Sequence, residues 1–265
     1  MAFQINTNMD ALSAYNALSK VNAQTNKAQL RLATMKKINS VADDTSGFKV
    51  GKELEADNMK MKAQLNNISS GKNWLSTAES ALILVNEKLN QIVAKQEDAK
   101  DPIKDQSSLQ KDVKAIADEI SNILANTTIN GNNVLSTTAV SFGTGGSSSA
   151  SINVGTQLDM ATNQTALTAL QVGDATSLTT AVTDFLADVK TTLGYIGNNL
   201  QAFDSREEYI TSSIANNTAL VSKIFDADMA LEQLNATKGQ IGSQIGTAML
   251  STLNAAPQGL LSLFR

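Results

Sequence analysis

The sequence contains neither cysteine nor histidine. That excludes a disulfide framework, a thiolate nucleophile and a zinc site of the usual ligand types. Aromatic residues make up only 4% of the chain, with a single tryptophan, Trp74. A thick globular core usually buries several large rings, so apolar contacts here must be built mostly from Leu, Ile, Val, Met and Ala. No apolar run approaches the roughly 20 residues a membrane-spanning helix needs. Excess positive charge is missing too: the formal net charge is −4, which leaves no basic footprint for nucleic acid or anionic lipid. The stretch Met1 to Asp10 has no cationic region followed by an apolar one, so no cleaved secretory signal is expected. Composition on its own fits the cytoplasm.

What the chain does have is periodicity. Leu54, Met61, Ile68, Leu75, Leu82 and Leu89 recur every seven residues. Downstream, Val182, Val189, Ile196, Phe203, Ile210 and Ile224 keep the same spacing, broken only at Asn217. Leu186, Leu193, Leu200, Ile214 and Val221 interleave with them, broken only at Glu207. A seven-residue apolar repeat keeps one stripe of a helix facing a partner. Segments of this size run roughly 60 Å at 1.5 Å per residue. The expected fold is mainly α, an elongated rod of long antiparallel coiled-coil-like helices.

The two ends carry thinner seams. Ala11, Ala14, Leu18, Val21, Thr25, Ala28, Leu32 and Met35 alternate steps of three and four, and Leu231, Leu234, Ile241, Ile245 and Ala248 form a matching stripe. Gly239, Gly242 and Gly246 share one face of the latter, each lowering helix stability by up to about 1 kcal/mol. Such helices are marginal alone and call for each other or for neighbouring copies. Between them and the ladders, Asp43, Asp44, Thr45 and Ser46 offer N-cap oxygens for the second helix, a reading favoured over metal binding by the acidic pair. Leu109, Val113, Ile116, Ile120 and Ile123 give a further helix, with Pro102 expected in its first turn. The mixed charges from Lys100 to Lys114 read as its solvated face. Asn130-Gly131 marks a turn. Residues 136–177 are rich in Ser, Thr and Gly, and there Ala150 to Val154 and Leu158 to Met160 are expected to pair as a small β-hairpin.

Sites for chemistry are scarce. Gly143, Gly145 and Gly146 lack the third glycine of a dinucleotide loop, since Ser148 stands there. Ser70-Gly71-Lys72 lacks the rest of a phosphate-binding loop and falls inside the unbroken heptads. Asp226-Ala227-Asp228 reads as a helix cap. Asp43, Asp44, Asp226 and Asp228 would need a cleft to serve as paired-carboxylate catalysts. No catalytic, cofactor-binding or metal-binding residue is expected, and no enzyme.

Five segments together point to a family. Lys37-Ile38-Asn39-Ser40-Val41-Ala42-Asp43-Asp44-Thr45-Ser46-Gly47 resembles the R-I-N-S-A-x-D-D-A-A-G stretch of bacterial flagellins. Asn126 to Leu135 resembles their T-x-F-N-G-x-x-L-L segment, and Leu193-Gly194 with Asn198-Asn199-Leu200 is similar to L-G-A-x-x-N-R-L. Lys223 to Asp228 resembles R-I-x-D-A-D. Gly246 to Leu250, with Pro257 and Leu260 to Arg265, resembles the family's G-T-x-M-L and P-x-x-x-L-x-L-L-R ending. The motifs stand in the family's order and cover roughly residues 1–135 and 178–265.

The resemblance implies a structural subunit that polymerises with itself into the flagellar filament for swimming. It implies export, unfolded, through the flagellar type III channel and assembly at the distal tip, hence an extracellular location without a cleaved signal. Residues 1–35 and 225–265 would pair as an inner tube, residues 36–46 would connect, and residues 47–135 and 178–224 would form the rod. Residues 136–177 would be an exposed middle far smaller than the usual outer domains, which makes this a minimal form. Implied partners are further copies, an export chaperone at the C-terminal helix, and filament cap and hook-associated proteins, with no nucleic acid and no membrane insertion. Several positions depart from the pattern. Lys37 replaces an Arg, Met35 stands where Gly is common, Asn199 replaces the Arg of N-R-L, and Phe264 replaces a terminal Leu. Leu89 to Lys95 lacks the Arg and Glu that the host flagellin-sensing receptor uses, so the resemblance does not extend to innate immune recognition. Two rivals remain open here: a hook–filament junction protein, which shares the end motifs, and a secreted coiled-coil adhesin or effector. The adhesin would need a surface patch for which Trp74 and Tyr195, more naturally packing residues, are the only aromatic hints.

Overall fold

The computed structural model describes residues 8–144, 149–168 and 175–263. In chain order these form α1 (Met9–Thr34), α2 (Thr45–Asp98), α3 (Gln106–Asn126), β1 (Thr128–Ile129), β2 (Asn132–Asn133), β3 (Val140–Gly143), β4 (Ser149–Ile152), α4 (Val154–Gln157), α5 (Met160–Thr168), α6 (Ala175–Phe225) and α7 (Met229–Leu263). The protein is mainly helical. It divides into two compact units, Met1–Asn58 with Ala215–Arg265, and Met59–Ile214, the division falling within α2 and within α6.

In the unit Met59–Ile214 the heptads are the core. Ile68, Leu75, Leu82 and Leu89 of α2 are fully buried, as are Val182, Val189, Ile196, Phe203 and Ile210 of α6. Each such aliphatic side chain contributes roughly 2 kcal/mol relative to an exposed one. Leu186, Leu193, Leu200 and Ile214 pack against that core at its margin. The gap at Glu207 has a cause: its carboxylate and that of Asp204 both pair with Lys72 across the seam. Gly71 is where α2 passes under Phe203, since a Cβ there would lie 2.8 Å from the ring. From α3, Leu109, Val113, Ala117, Ile120 and Leu124 point inward. Lys88–Glu119 (2.9 Å) and Lys95–Asp112 (2.8 Å) flank the antiparallel α2–α3 contact.

Two expectations for this unit are corrected, those for Pro102 and for the pairing of residues 150–160, while the turn at Asn130-Gly131 is as expected. Pro102 lies in the loop before α3, not in its first turn; Asp105 is the N-cap, accepting from the Ser107 amide at 3.1 Å. The Asn130-Gly131 turn closes a hairpin of its own, β1 with β2, and both residues have positive φ (50° and 79°), as a tight two-residue hairpin turn requires. Ala150 to Ile152 is a strand, but its partner is Val140–Gly143. Leu158 is fully buried beneath a helical turn, and Met160 opens α5. Period-2 alternation could not separate these candidates, because the core below takes apolar side chains from either conformation.

Nor is the middle exposed throughout. Ile152, Val154, Leu158 and Leu167 belong to the buried core. Phe142 sits edge-on to both Trp74 and Phe203, with centroids 6.4 Å from each. Residues 145–148, which include Gly145, Gly146 and Ser148, lie outside the described residues. Tyr195 is half-buried and accepts from the Asn153 amide at 3.4 Å, so both aromatic hints are packing residues.

In the unit Met1–Asn58 with Ala215–Arg265, α1 and α7 run antiparallel. Asn8 caps α1 through its side-chain oxygen (Ala11 amide, 3.0 Å) and donates from Nδ2 to the Leu253 carbonyl at 3.1 Å. After α1 the chain crosses the end of α6 in a short antiparallel bridge, Lys36 opposite Asp226. There the Lys37 amide donates to the Phe225 carbonyl (2.7 Å) and the Ala227 amide to the Met35 carbonyl (3.0 Å). Phe225 is buried edge-on to Phe48, 6.2 Å between centroids. Gly51 admits this ring, for a Cβ there would lie 2.2 Å from it.

Candidate assembly surface

Of the four carboxylates of possible catalytic interest, three bond backbone amides and the fourth a neighbouring hydroxyl. Asp44 caps α2, accepting from the Gly47 amide at 2.9 Å. Asp43 accepts from the amides of Asn39 and Ser40, both at 3.1 Å, and from the Ser40 hydroxyl at 3.2 Å, and it pairs with Lys27 of α1 at 2.6 Å. The Lys27 ammonium and these amides, outweighing the opposing effect of burial, hold the Asp43 carboxyl well below the usual carboxylate range. Asp228 caps α7 through the amides of Ala230 and Leu231, at 3.0 and 3.1 Å. Asp226 accepts from the Ser222 hydroxyl at 2.5 Å. The turn at 39–44 is therefore tied to α1, and the one at 226–228 starts α7. Among the described residues no three His, Cys, Asp or Glu side chains are grouped as a metal site.

The α1–α7 pair is the surface of interest. On α1 the anticipated seam is the one observed except at Met35, which lies beyond the helix and is exposed. Thr25 and Ala28 are buried, and Ala11, Ala14, Leu18, Val21 and Leu32 are half-buried. On α7 the seam is not the anticipated apolar stripe. Leu231, Leu234, Ile241 and Ile245 are all more than half exposed, and Met249 beyond them is as well. The face turned to α1 carries Glu232 and Ala236, both buried, followed by Gly239, Gly242 and Gly246. A Cβ at Gly239 would lie 2.1 Å from Thr25 Oγ1, at Gly242 3.3 Å from Val21, and at Gly246 2.8 Å from Leu18. The glycines let two helices approach closely, and that choice turns the large apolar residues of α7 outward. Glycine spacing was the signal in the sequence; the apolar period beside it was the stronger lure. Arg31 reaches the buried Glu232 at 2.9 Å and sets the register of the pair.

The outward residues make the pair incomplete. On α1, Met9, Leu12, Tyr15 and Leu30 are also more than half exposed. Covering what remains of each would contribute about 1 kcal/mol. Large apolar side chains left uncovered in such number along one helix pair mark a surface that something binds.

Residues 5–139 match the model of the bacterial flagellin N-terminal helical region, and residues 176–264 that of the C-terminal helical region. The chain belongs to the bacterial flagellin family. It is 27% identical over 270 residues to a flagellin of Halalkalibacterium halodurans, covering 98% of this chain and 99% of that one. With a flagellin of Bacillus subtilis it shares 27% identity, over 99% of this chain and 100% of the relative. With the flagellar filament 33 kDa core protein of Treponema phagedenis it shares 28%, over 98% and 99%. Relatives matched end to end at this small size make it a minimal flagellin, a structural subunit and not an enzyme. The motif ending at Phe264 and Arg265 closes outside the described residues. Met35 closes α1 in the left-handed region, φ 59° and ψ 13°, a conformation that favours glycine.

Proposed function

We propose that this flagellin is held in its filament through the α1–α7 pair, whose outward apolar residues are covered by the same pair in neighbouring copies. The single observation that carries this is the inversion of α7, with glycines toward α1 and Leu231, Leu234, Ile241 and Ile245 toward solvent. In this reading residues 1–35 and 225–265 form the inner tube, residues 36–46 the connector, and residues 47–135 and 178–224 the surrounding shell. The chain is exported unfolded and added at the distal tip, outside the cell. A sequence without cysteine supports this, because no disulfide has to be broken before passage. An export chaperone shields the same α7 stripe before export, and cap and hook-associated proteins meet it at the filament ends.

Two kinds of variant test the assembly reading. Removing residues 1–30 or 230–265 should abolish seeded polymerisation, read by sedimentation and negative-stain microscopy, while the unit Met59–Ile214 keeps its helical signal. Ile241→Asp with Ile245→Asp should leave the subunit folded, because both side chains are exposed, and still block filament growth. Normal filaments from the truncated chains or from the double variant would refute it.

A further inference from the structure

Met35 is held in a conformation that disfavours it. Its φ of 59° lies in the left-handed region, which costs a residue with a side chain roughly 1–2 kcal/mol where glycine pays almost nothing. The backbone on both sides leaves no escape. The Met35 carbonyl accepts from the Ala227 amide at 3.0 Å, and the next amide but one, Lys37, donates to Phe225 at 2.7 Å. Within the subunit the side chain is left mostly uncovered, for Met35 is 64% exposed. It stands among other uncovered apolar groups at this end of the pair: Leu30, Met229 and Leu231. Leu30 precedes Arg31 on α1 as Leu231 precedes Glu232 on α7. The Arg31–Glu232 bond holds these stretches of the two helices side by side, with both leucines more than half exposed.

We infer that Met35 is a specificity-determining residue of the filament contact: its thioether chain is buried by a second copy of this flagellin, and that burial offsets the backbone strain borne in the subunit. The occupant is a further copy because flagellins polymerise with themselves and because the flanking leucines are the residues already assigned to that contact. The inference therefore rests on the assembly reading above and narrows it to one side chain.

The test separates strain from contact by using three substitutions in the full chain. Met35→Gly relieves the strain and removes the side chain. Met35→Asn tolerates the left-handed region and replaces the apolar chain with a polar one. Met35→Leu keeps the strain and the apolar bulk. Monomer samples are compared by amide exchange at Lys37 and Ala227, and assembly by the critical concentration for growth on sheared filament seeds. Gly and Asn should slow exchange at both amides about fivefold or more, yet raise the critical concentration about fivefold or more, while Leu stays within about twofold of the parent on both scales. Opposite movement of the two readouts is the signature, since strain relief alone moves only the first. A critical concentration for Met35→Gly equal to or below the parent's would overturn the inference, and so would unslowed exchange. Failure of the parent chain itself to grow on seeds would instead strike the assembly reading.

Discussion

Gly239→Ala and Gly197→Ala are the same chemical change in the interior of two helices, and the structure assigns them opposite signs. Replacing a helical glycine by alanine gains up to about 1 kcal/mol from backbone entropy when the new methyl has room. At Gly197 in α6 nothing lies within 4 Å of an added Cβ. That variant should therefore melt higher, by roughly 2–4 °C for a chain of this size. At Gly239 the added Cβ would lie 2.1 Å from Thr25 Oγ1, 3.1 Å from its Cβ and 3.4 Å from its Cα. Rotating the hydroxyl away removes only the first of these contacts, and Oγ1 already donates to the Val21 carbonyl at 2.7 Å. Separating the helices to make room should cost about 1–3 kcal/mol, which exceeds the propensity gain. Amide exchange in α1 should accelerate about fivefold or more for Gly239→Ala. Adding Thr25→Ala to that variant removes the hydroxyl contact but leaves the Thr25 Cβ and Cα positions, so it should restore part of the loss, a coupling on the order of 1 kcal/mol in a double-mutant cycle. The Val21 carbonyl is not orphaned by this, since it retains its helical position. If Gly239→Ala protected α1 from exchange, or if Thr25→Ala gave no rescue, the close glycine-mediated contact would be refuted.

Two further outcomes follow from the buried ladder and from the connector. Ile196 is only 1% exposed in the central stripe of α6; Ile196→Asp should destabilise the unit Met59–Ile214 by about 3–5 kcal/mol, with the carboxyl pushed toward its neutral form, and an unchanged thermal melt would contradict the seam. Asp43 is depressed below its ordinary value of 3.8, so its bonds to Lys27 and the 39–40 amides add stability that is fully present above about pH 4 and is lost as pH falls toward the folded value. Asp43→Asn should thus be less stable than the parent at pH 7 and show a flatter decline in denaturant midpoint between pH 4 and pH 2, and parallel declines would remove Asp43 from the acid response.

The sequence by itself determined that this protein is helical, which residues line the two long ladders, and that its end helices carry the thinner seams. Those features are encoded by local repetition, and a seven-residue spacing specifies a buried stripe whatever the partner. It also carried the family, through motifs whose residues recur as caps and turns: Asp44 and Asp228 start helices, and Asp43 ties the connector to α1. What only the tertiary structure decided is which of two competing faces the C-terminal helix α7 buries. On α7 the apolar period and the glycine period lie on different sides, and close approach of the α1 backbone selects the glycine side at Thr25, Val21 and Leu18. The pairing of β3 with β4 and the burial of Phe142 against Trp74 and Phe203 were likewise fixed by the core beneath, which accepts apolar side chains irrespective of local pattern. Met35 is marked in the sequence as a departure from glycine, but its left-handed backbone appears only once Phe225 and Ala227 hold the chain on either side of it.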